Sequence, residues 1–130
     1  MFEKMKKYCL IFIASTFMLS SCSKEEGEGG RSSITGKIHM TDNTGANQGE
    51  YDVPDYDVFI IYGDDDDIYD DDMKTNFDGT FEFKNLRQGN YRIFAYTVDA
   101  NEASGVKPVF KSAELGKNET VDVGTIEVEK

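Results

Sequence analysis

The sequence contains few of the residues that most often stabilise small domains by crosslinks or carry out catalysis. Its 130 residues include no Trp, one His, two Pro and two Cys. Both cysteines, Cys9 and Cys22, lie near the N-terminus, so no disulfide can form within the remaining chain and its stability must come from a packed core. The single histidine, His39, has no Ser or Asp beside it in a recognisable catalytic motif. We therefore predict that the protein is not an enzyme.

Positive charge is also scarce. Lys and Arg number 14 against 25 Asp and Glu, which gives a formal net charge of −11. An anionic chain repels the phosphate backbones of DNA and RNA, so we predict no nucleic-acid partner. The same charge favours solubility, and it favours cationic partners or divalent metal ions.

The longest apolar run is too short to cross a membrane. It extends over residues 8–19 and follows the cluster Lys4, Lys6 and Lys7. A spanning helix needs roughly 20 apolar residues, whereas the apolar region of a signal peptide has about 7–15. The run ends in Leu19-Ser20-Ser21-Cys22, which resembles the lipobox of bacterial lipoproteins.

This resemblance implies that residues 1–21 are a lipoprotein signal peptide and that Cys22 is lipidated and becomes the mature N-terminus. Members of this class carry two or three acyl chains, and more than one chain anchors a protein stably. The alternative is an ordinary secretory signal followed by an incidental cysteine. Removal of residues 1–21 takes away three Lys and one Glu, so the net charge of −11 becomes −13.

Residues 22–32 are predicted to be a flexible, acidic, Gly-rich tether. The segment 23–30 has no apolar residue, so it cannot bury enough surface to offset the entropy lost on ordering. Lys24-Glu25-Glu26 is similar to acidic export signals of surface lipoproteins. We therefore predict a cell-envelope protein that is lipid-anchored in the outer membrane and exposed at the cell surface. A periplasm-facing position in the same membrane is the alternative.

Residues 33–130 show short alternating apolar runs separated by turn residues, which predicts an all-β sandwich of about seven strands. Pro108 cannot donate a ladder hydrogen bond, so its strand is predicted to lie at a sheet edge. A change in apolar parity near Gly124 predicts a β-bulge. The predicted strands are Ser33–Met40, Asp57–Tyr62, Met73–Phe77, Thr80–Lys84, Asn90–Asp99, Val106–Ala113 and Val121–Glu129.

The turns indicate a more specific fold. Asp78-Gly79 between two apolar runs predicts a hairpin. The segment from Thr75 to Ile93 is similar to the central hairpin of carboxypeptidase regulatory-like domains. That pattern has an Asp-Gly turn, two inward aromatic residues, and then a Leu, a Gly and a Tyr. The resemblance implies a seven-stranded, Greek-key, transthyretin-like β-sandwich over residues 33–130. It says little about function, because this module accompanies many unrelated proteins.

The loop 64–72 is unusually acidic, with seven aspartates in nine residues. Ca²⁺ takes six to eight oxygen ligands, often from several carboxylates of one loop. The predicted ligands are Asp64, Asp65, Asp66, Asp67 and Asp78. The alternative is a solvated run whose like charges repel one another.

Three tyrosines, Tyr51, Tyr56 and Tyr69, lie in or beside the loops 41–56 and 64–72. Tyrosine rings can stack on sugars, and nearby acidic side chains can accept hydrogen bonds from sugar hydroxyls. These residues are therefore candidate ligand-binding residues for a glycan, with a purely structural role as the alternative.

Taken together, these features predict a lipid-anchored outer-membrane or surface lipoprotein with a monomeric domain. It is predicted to act as a non-enzymatic binding or scaffold module that presents the loops 41–56 and 64–72 to a protein or glycan partner. One alternative is a glycan-binding lipoprotein of a polysaccharide-uptake system. Another is a surface-fibre subunit, because β-sandwiches can polymerise by strand addition at open edges.

Overall fold

A computed structural model describes residues 25–46, 48–64 and 68–130, and these residues form strands and turns without any α-helix. In this part of the chain no helix is long and apolar enough to span a membrane. The predicted all-β sandwich is confirmed. Its eight strands are β1 (Glu28–Asp42), β2 (Gly49–Asp52), β3 (Asp57–Tyr62), β4 (Asp71–Lys74), β5 (Thr80–Leu86), β6 (Gly89–Val98), β7 (Val106–Leu115) and β8 (Thr120–Glu129).

The strands form two sheets of four. In the first sheet the long strand β1 pairs with β5 along its first part and with β2 at its end, both antiparallel. Strand β8 pairs with β1 in parallel. The second sheet has the antiparallel order β4-β3-β6-β7. Strand β3, whose residues 58–62 are all apolar or aromatic, is therefore interior, and β7 lies at an edge.

The core lies between the two sheets and is built mainly from side chains that alternate along the strands. On β1, Ile34, Ile38 and Met40 point inward and are at most 3% exposed. Gly36 occupies the inward position between Ile34 and Ile38, where an added Cβ would lie 2.4 Å from Cζ of Phe81. The phenylalanine ring therefore fills the space that a side chain at residue 36 would take.

Two local predictions about the strands are confirmed. The pairing of β1 with β8 shifts register between Thr35↔Asp122 and Lys37↔Thr125, which places a bulge at Gly124. Gly124 has φ of +80°, a conformation that glycine adopts without steric cost. Pro108 lies on β7, at the edge of the second sheet, which is the position where a strand tolerates proline.

The predicted tether is shorter than the sequence suggests. Strand β1 begins at Glu28, so residues 28–32 belong to the sheet rather than to a flexible spacer. The reason is a set of long-range hydrogen bonds just before the strand. The amide of Arg87 donates to the carbonyl oxygen of Gly27 at 2.8 Å, and the amide of Gly27 donates to the hydroxyl of Tyr91 at 2.9 Å.

The structure also corrects the region around the Asp-Gly turn. The turn itself forms, with the amide of Gly79 donating to the carbonyl of Asn76 at 2.9 Å. However, β4 ends at Lys74 and lies in the second sheet, while β5 lies in the first, so the turn connects two sheets and does not close a hairpin. Directly after β4, the buried hydroxyl of Thr75 donates to the carbonyl of Val53 at 2.6 Å.

An eighth strand accounts for the remaining difference from the predicted seven. Strand β2 lies within the predicted loop 41–56 and pairs with the end of β1, with Tyr51 opposite Met40. All four residues of β2 are exposed. The strand therefore leaves no apolar alternation in the sequence by which it could be predicted.

The two ends of the sandwich carry different segments. One end holds the start of β1, residues 62–64 and 68–71, and the turns at 86–89 and 115–120, since Tyr62 is opposite Tyr91 and Gly89 is opposite Leu115. We call this the N-terminal end. The other end, called the far end, holds residues 43–46 and the segments 53–57, 75–79 and 99–105.

Candidate binding surface

The residues predicted to bind calcium are not brought together as a set. Cys22 and Asp65–Asp67 lie outside the described residues. Asp64 follows β3 at the N-terminal end, whereas Asp78 lies in a turn at the far end, so the length of β3 separates the two carboxylates. The Asp78 carboxylate instead accepts hydrogen bonds from the Thr80 hydroxyl at 2.6 Å and the Thr80 amide at 3.2 Å. These bonds hold the pKa of Asp78 below its usual value.

Among the described residues, no group of three or more His, Cys, Asp or Glu side chains is arranged to hold a metal ion. One carboxylate of the acidic loop has a structural role, because Asp70 accepts the amide of Tyr62 at 2.7 Å. Calcium binding by the loop stays a prediction that depends on the three aspartates outside the described ranges.

Two of the three predicted ligand tyrosines lie at the second sheet, and the third does not. The ring of Tyr69 packs against Phe59 with centroids 4.7 Å apart. The hydroxyl of Tyr56 donates to the backbone carbonyl of Tyr96. Tyr51 lies on β2 in the first sheet. The three tyrosines therefore do not form one surface, because Tyr51 lies apart from the other two.

Tyr56 and Tyr69 adjoin a row of phenylalanines that crosses the outer side of the second sheet. Phe59, Phe94 and Phe110 are direct cross-strand neighbours on β3, β6 and β7. Their ring centroids are 5.0 Å apart for the first pair and 5.1 Å for the second. Tyr96 meets the central ring edge-on at 5.5 Å. We call these four residues and Tyr69 the aromatic face.

The aromatic face is accessible although its centre is tightly packed. Phe94 is only 4% exposed, whereas Tyr96 and Phe110 are 41% and 46% exposed. The Arg92 guanidinium lies 5.7 Å from the ring centroid of Phe110, within the range of a cation–π contact. Contiguous exposed apolar patches of this kind typically mark sites of interaction with a ligand or partner.

An acidic cleft of about 270 Å³ opens beside the aromatic face at the far end. Asp57 forms an ion pair with Lys74 at 2.8 Å, which fixes its carboxylate at the rim. Burial, and then the charge of Asp57, raise the pKa of Tyr56, so its hydroxyl stays protonated and acts as a donor. The cleft is lined by Asp55, Tyr56, Asp57, Phe59 and Tyr96.

This arrangement combines ring faces with carboxylate oxygens. The cleft is smaller than the roughly 300–1,000 Å³ of pockets that enclose a drug-sized ligand, so it suits a ring held at the surface. A flat molecule with one apolar face and several hydroxyl groups matches both features, because the face can stack and the hydroxyls can donate.

A larger hollow of about 540 Å³ lies on the first sheet, near the β8 bulge. Most of its lining residues are polar, among them Lys37, Asn76, Glu82 and Asp122. The aromatic residue at this hollow, Phe81, is 1% exposed and belongs to the core. The hollow therefore presents no accessible ring face on which a ligand could stack.

The structure places the Asp52 carboxylate beside the only histidine, His39. The residues next to His39 in the sequence do not indicate this pairing. The Nδ1 atom of His39 lies 3.0 Å from Oδ1 of Asp52, because the two residues face each other on β1 and β2. This hydrogen bond is the main cause of the raised pKa of His39, and nearby Glu127 and Glu50 act in the same direction. Asp52 is also 3.2 Å from Lys37.

The phenylalanine row was not among the residues predicted from the sequence. Its only sequence signal is that Phe94, Tyr96 and Val98 make the outward side of β6 apolar as well as the inward side. Such a pattern is typical of a strand buried on both faces. It does not reveal that the outward rings meet those of β3 and β7.

No protein-family model matches the chain. No curated protein matches it. Among solved structures, the fold is similar to that of a candidate carbohydrate-binding protein from Pseudomonas aeruginosa, with a TM-score of 0.49 and 14% sequence identity. The similarity covers 80% of this chain and 91% of that chain. A likeness of this degree carries no information about the ligand of this chain.

Proposed function

We propose that this protein is a lipid-anchored, non-enzymatic binding module of the outer membrane, and that the aromatic face with its acidic cleft is the surface that binds a glycan. The observation that carries the proposal is the position of Tyr96. Its ring is 41% exposed, lies 5.6 Å from that of Phe59, and borders a cleft that contains two aspartates.

The physical argument rests on complementarity. A pyranose ring has an apolar face of C–H groups that stacks on tyrosine or phenylalanine, and it has hydroxyl groups around its edge. Asp55 and Asp57 supply acceptors beside Phe59 and Tyr96. The net charge of −11 disfavours strongly anionic polymers, so neutral or cationic glycans are the expected class.

Tyr96→Ala tests the binding surface. The substitution removes an exposed ring but leaves the backbone carbonyl to which Tyr56 donates. Loss of a ring at the centre of a binding surface costs on the order of 2 kcal/mol, so affinity for a retained polysaccharide should fall at least about tenfold. Binding is measured by affinity electrophoresis in gels that contain starch, dextran or mannan.

Tyr51→Ala is the matched control. Tyr51 is 43% exposed, nearly the same as Tyr96, but lies on the first sheet. It should bind as the unchanged protein does. The glycan proposal is wrong if no polysaccharide retards the unchanged protein, or if both tyrosine variants lose binding equally.

The anchor is tested separately with Cys22→Ala. This variant should lose metabolic labelling with fatty acid and leave the membrane fraction, while its sandwich still folds. Protease added to whole cells should degrade the unchanged protein if it is displayed at the surface. Persistent membrane association of Cys22→Ala would contradict the lipid anchor without affecting the glycan test.

A further inference from the structure

The first described residues are fastened to one end of the sandwich rather than hanging free. Two hydrogen bonds hold Gly27. Its amide donates to the Tyr91 hydroxyl at 2.9 Å, and its carbonyl oxygen accepts from the Arg87 amide at 2.8 Å. The Arg87 side chain also reaches the carbonyl of Glu25 at 3.4 Å. The Glu26 carboxylate accepts the amide of Asn90 at the same distance. The fold therefore determines where the chain leaves the domain.

The chain leaves at the N-terminal end, beside the acidic loop. Glu25 and Glu26 line a hollow there together with Tyr62, Asp64 and Asp70. An added Cβ at Gly63 would lie 3.2 Å from a carboxylate oxygen of Glu26, which shows how closely the two segments approach.

The distance from this point to the predicted anchor is short. Cys22 and Glu25 are three residues apart, and a fully extended chain spans at most about 3.6 Å per residue, so the two residues lie no more than about 11 Å apart. Strand β6 has ten residues, which corresponds to a length of roughly 33 Å along the sandwich. The segment between Cys22 and Glu25 is thus much shorter than the sandwich.

We propose that the N-terminal end of the sandwich faces the lipid head groups, and that the far end, with the acidic cleft, points away from the membrane. This inference rests on the proposed lipidation of Cys22. Anionic head groups repel the acidic side chains at the N-terminal end. This end therefore faces the bilayer surface with a layer of water between them and does not insert. The cleft is then held about one sandwich length above the head groups, where a soluble polymer can reach it.

Fluorescence quenching by head-group nitroxide lipids tests this orientation. The mature lipidated protein, from which residues 1–21 have been removed, is reconstituted in vesicles of phosphatidylethanolamine and phosphatidylglycerol. Three variants each carry one labelled cysteine, which is the only free thiol because Cys9 is removed with the signal peptide and the sulfur of Cys22 is blocked by its thioether bond to the lipid. Lys117→Cys places the label at the N-terminal end, Glu102→Cys at the far end, and Ser112→Cys on the aromatic side of β7.

The label at residue 117 should be quenched at least about threefold more than the label at residue 102, given the roughly 33 Å between the ends. Equal quenching at both positions would overturn the proposed orientation. Stronger quenching at residue 112 than at residue 117 would also overturn it, because the domain would then lie with its aromatic face on the bilayer.

A longer tether provides the matched control. Insertion of about ten Gly and Ser residues between Lys24 and Glu25 adds a flexible segment and leaves every hydrogen bond of Gly27 intact. Quenching at residue 117 should then fall toward that at residue 102. If quenching at residue 117 does not change on insertion, the short segment between Cys22 and Glu25 does not set the orientation.

The mass of the purified protein distinguishes a failure of the proposed lipid anchor from a failure of the proposed orientation. Intact-mass analysis and vesicle flotation report whether Cys22 is acylated. Absence of the lipid overturns both the anchor and the orientation. Presence of the lipid with equal quenching at the two ends overturns only the orientation.

Discussion

The hydroxyl of Tyr91 lies 2.9 Å from the amide nitrogen of Gly27, which is 64 positions earlier in the chain. The same hydroxyl donates to the carbonyl of Arg87 at 2.7 Å. One buried side chain on strand β6 thereby connects Gly27, just before β1, with Arg87 in the β5–β6 turn. Burial raises the pKa of Tyr91, which keeps the hydroxyl protonated and able to donate.

Tyr91→Phe should therefore destabilise the domain. It leaves the Gly27 amide and the Arg87 carbonyl without their shared partner at a site that is 1% exposed. Leaving buried polar groups unpaired costs about 1–3 kcal/mol in the free energy of unfolding. Urea denaturation measures the change, with Tyr51→Phe as the control, since that ring is 43% exposed. An unfolding free energy equal to that of the unchanged protein would show that the fastening of residue 27 contributes nothing.

Gly36→Ala tests the packing of the first sheet. Because the new Cβ would lie 2.4 Å from Cζ of Phe81 and 3.0 Å from a methyl group of Val123, the ring must move. Overpacking of this kind costs about 1–3 kcal/mol. Gly49→Ala is the control, since an added Cβ there meets nothing within 4 Å. The two alanine variants should differ in melting temperature, and equal values would refute the proposed packing constraint.

The His39–Asp52 pair predicts a pH dependence of stability. The pKa of His39 is raised in the folded state, so its contribution is complete below the ordinary value of 6.5 and is lost as the pH rises through the raised value. The pKa of Asp52 is lowered, mainly by His39, so its contribution is lost as the pH falls below the ordinary value of 3.8 and through the lowered one. The pair therefore stabilises the fold most between these two ordinary values.

Because His39 is the only histidine, its ring signals in NMR spectra can be followed without assignment. Asp52→Asn should lower the pKa of His39 toward its ordinary value, whereas Glu114→Gln, on the other sheet, should not change it. The destabilisation caused by His39→Gln should be greater at about pH 5.5 than at about pH 8. The same destabilisation at both pH values would argue against the pair.

Asp78→Ala distinguishes a turn-capping role from a calcium-binding role. The variant loses the hydrogen bonds that the carboxylate accepts from Thr80, so its melting temperature should be lower than that of the unchanged protein. The decrease should be the same with Ca²⁺ and with a chelator. A decrease that appears only with Ca²⁺ would place Asp78 in a metal site.

The predicted loop ligands are tested in the same measurement. If residues 64–67 bind calcium, the melting temperature of the unchanged protein rises with Ca²⁺, and replacement of all four aspartates by Asn abolishes the rise. No rise and no heat on calorimetric titration would leave the loop as a solvated charge run.

Much of the strand pattern could be predicted from the sequence, because alternation of period two is a local property. The inward positions of β1, the edge position of Pro108 and the bulge at Gly124 all follow from residue types within a few positions. Strand β2 and the start of β1 at Glu28 could not be predicted in this way. Their backbone groups pair with distant strands, and their own residues carry no apolar alternation.

The sequence by itself determined the alternating strands, the turn residues, the acidic charge and the lipobox-like segment on which the predicted anchor depends. Only the tertiary structure decided which strands share a sheet, and therefore that Phe59, Phe94 and Phe110 form one row. It also decided that residues 25–27 are held by hydrogen bonds at the N-terminal end of the sandwich, beside the acidic loop. Cross-strand register and long-range hydrogen bonds depend on residues far apart in the chain, so no local pattern specifies them.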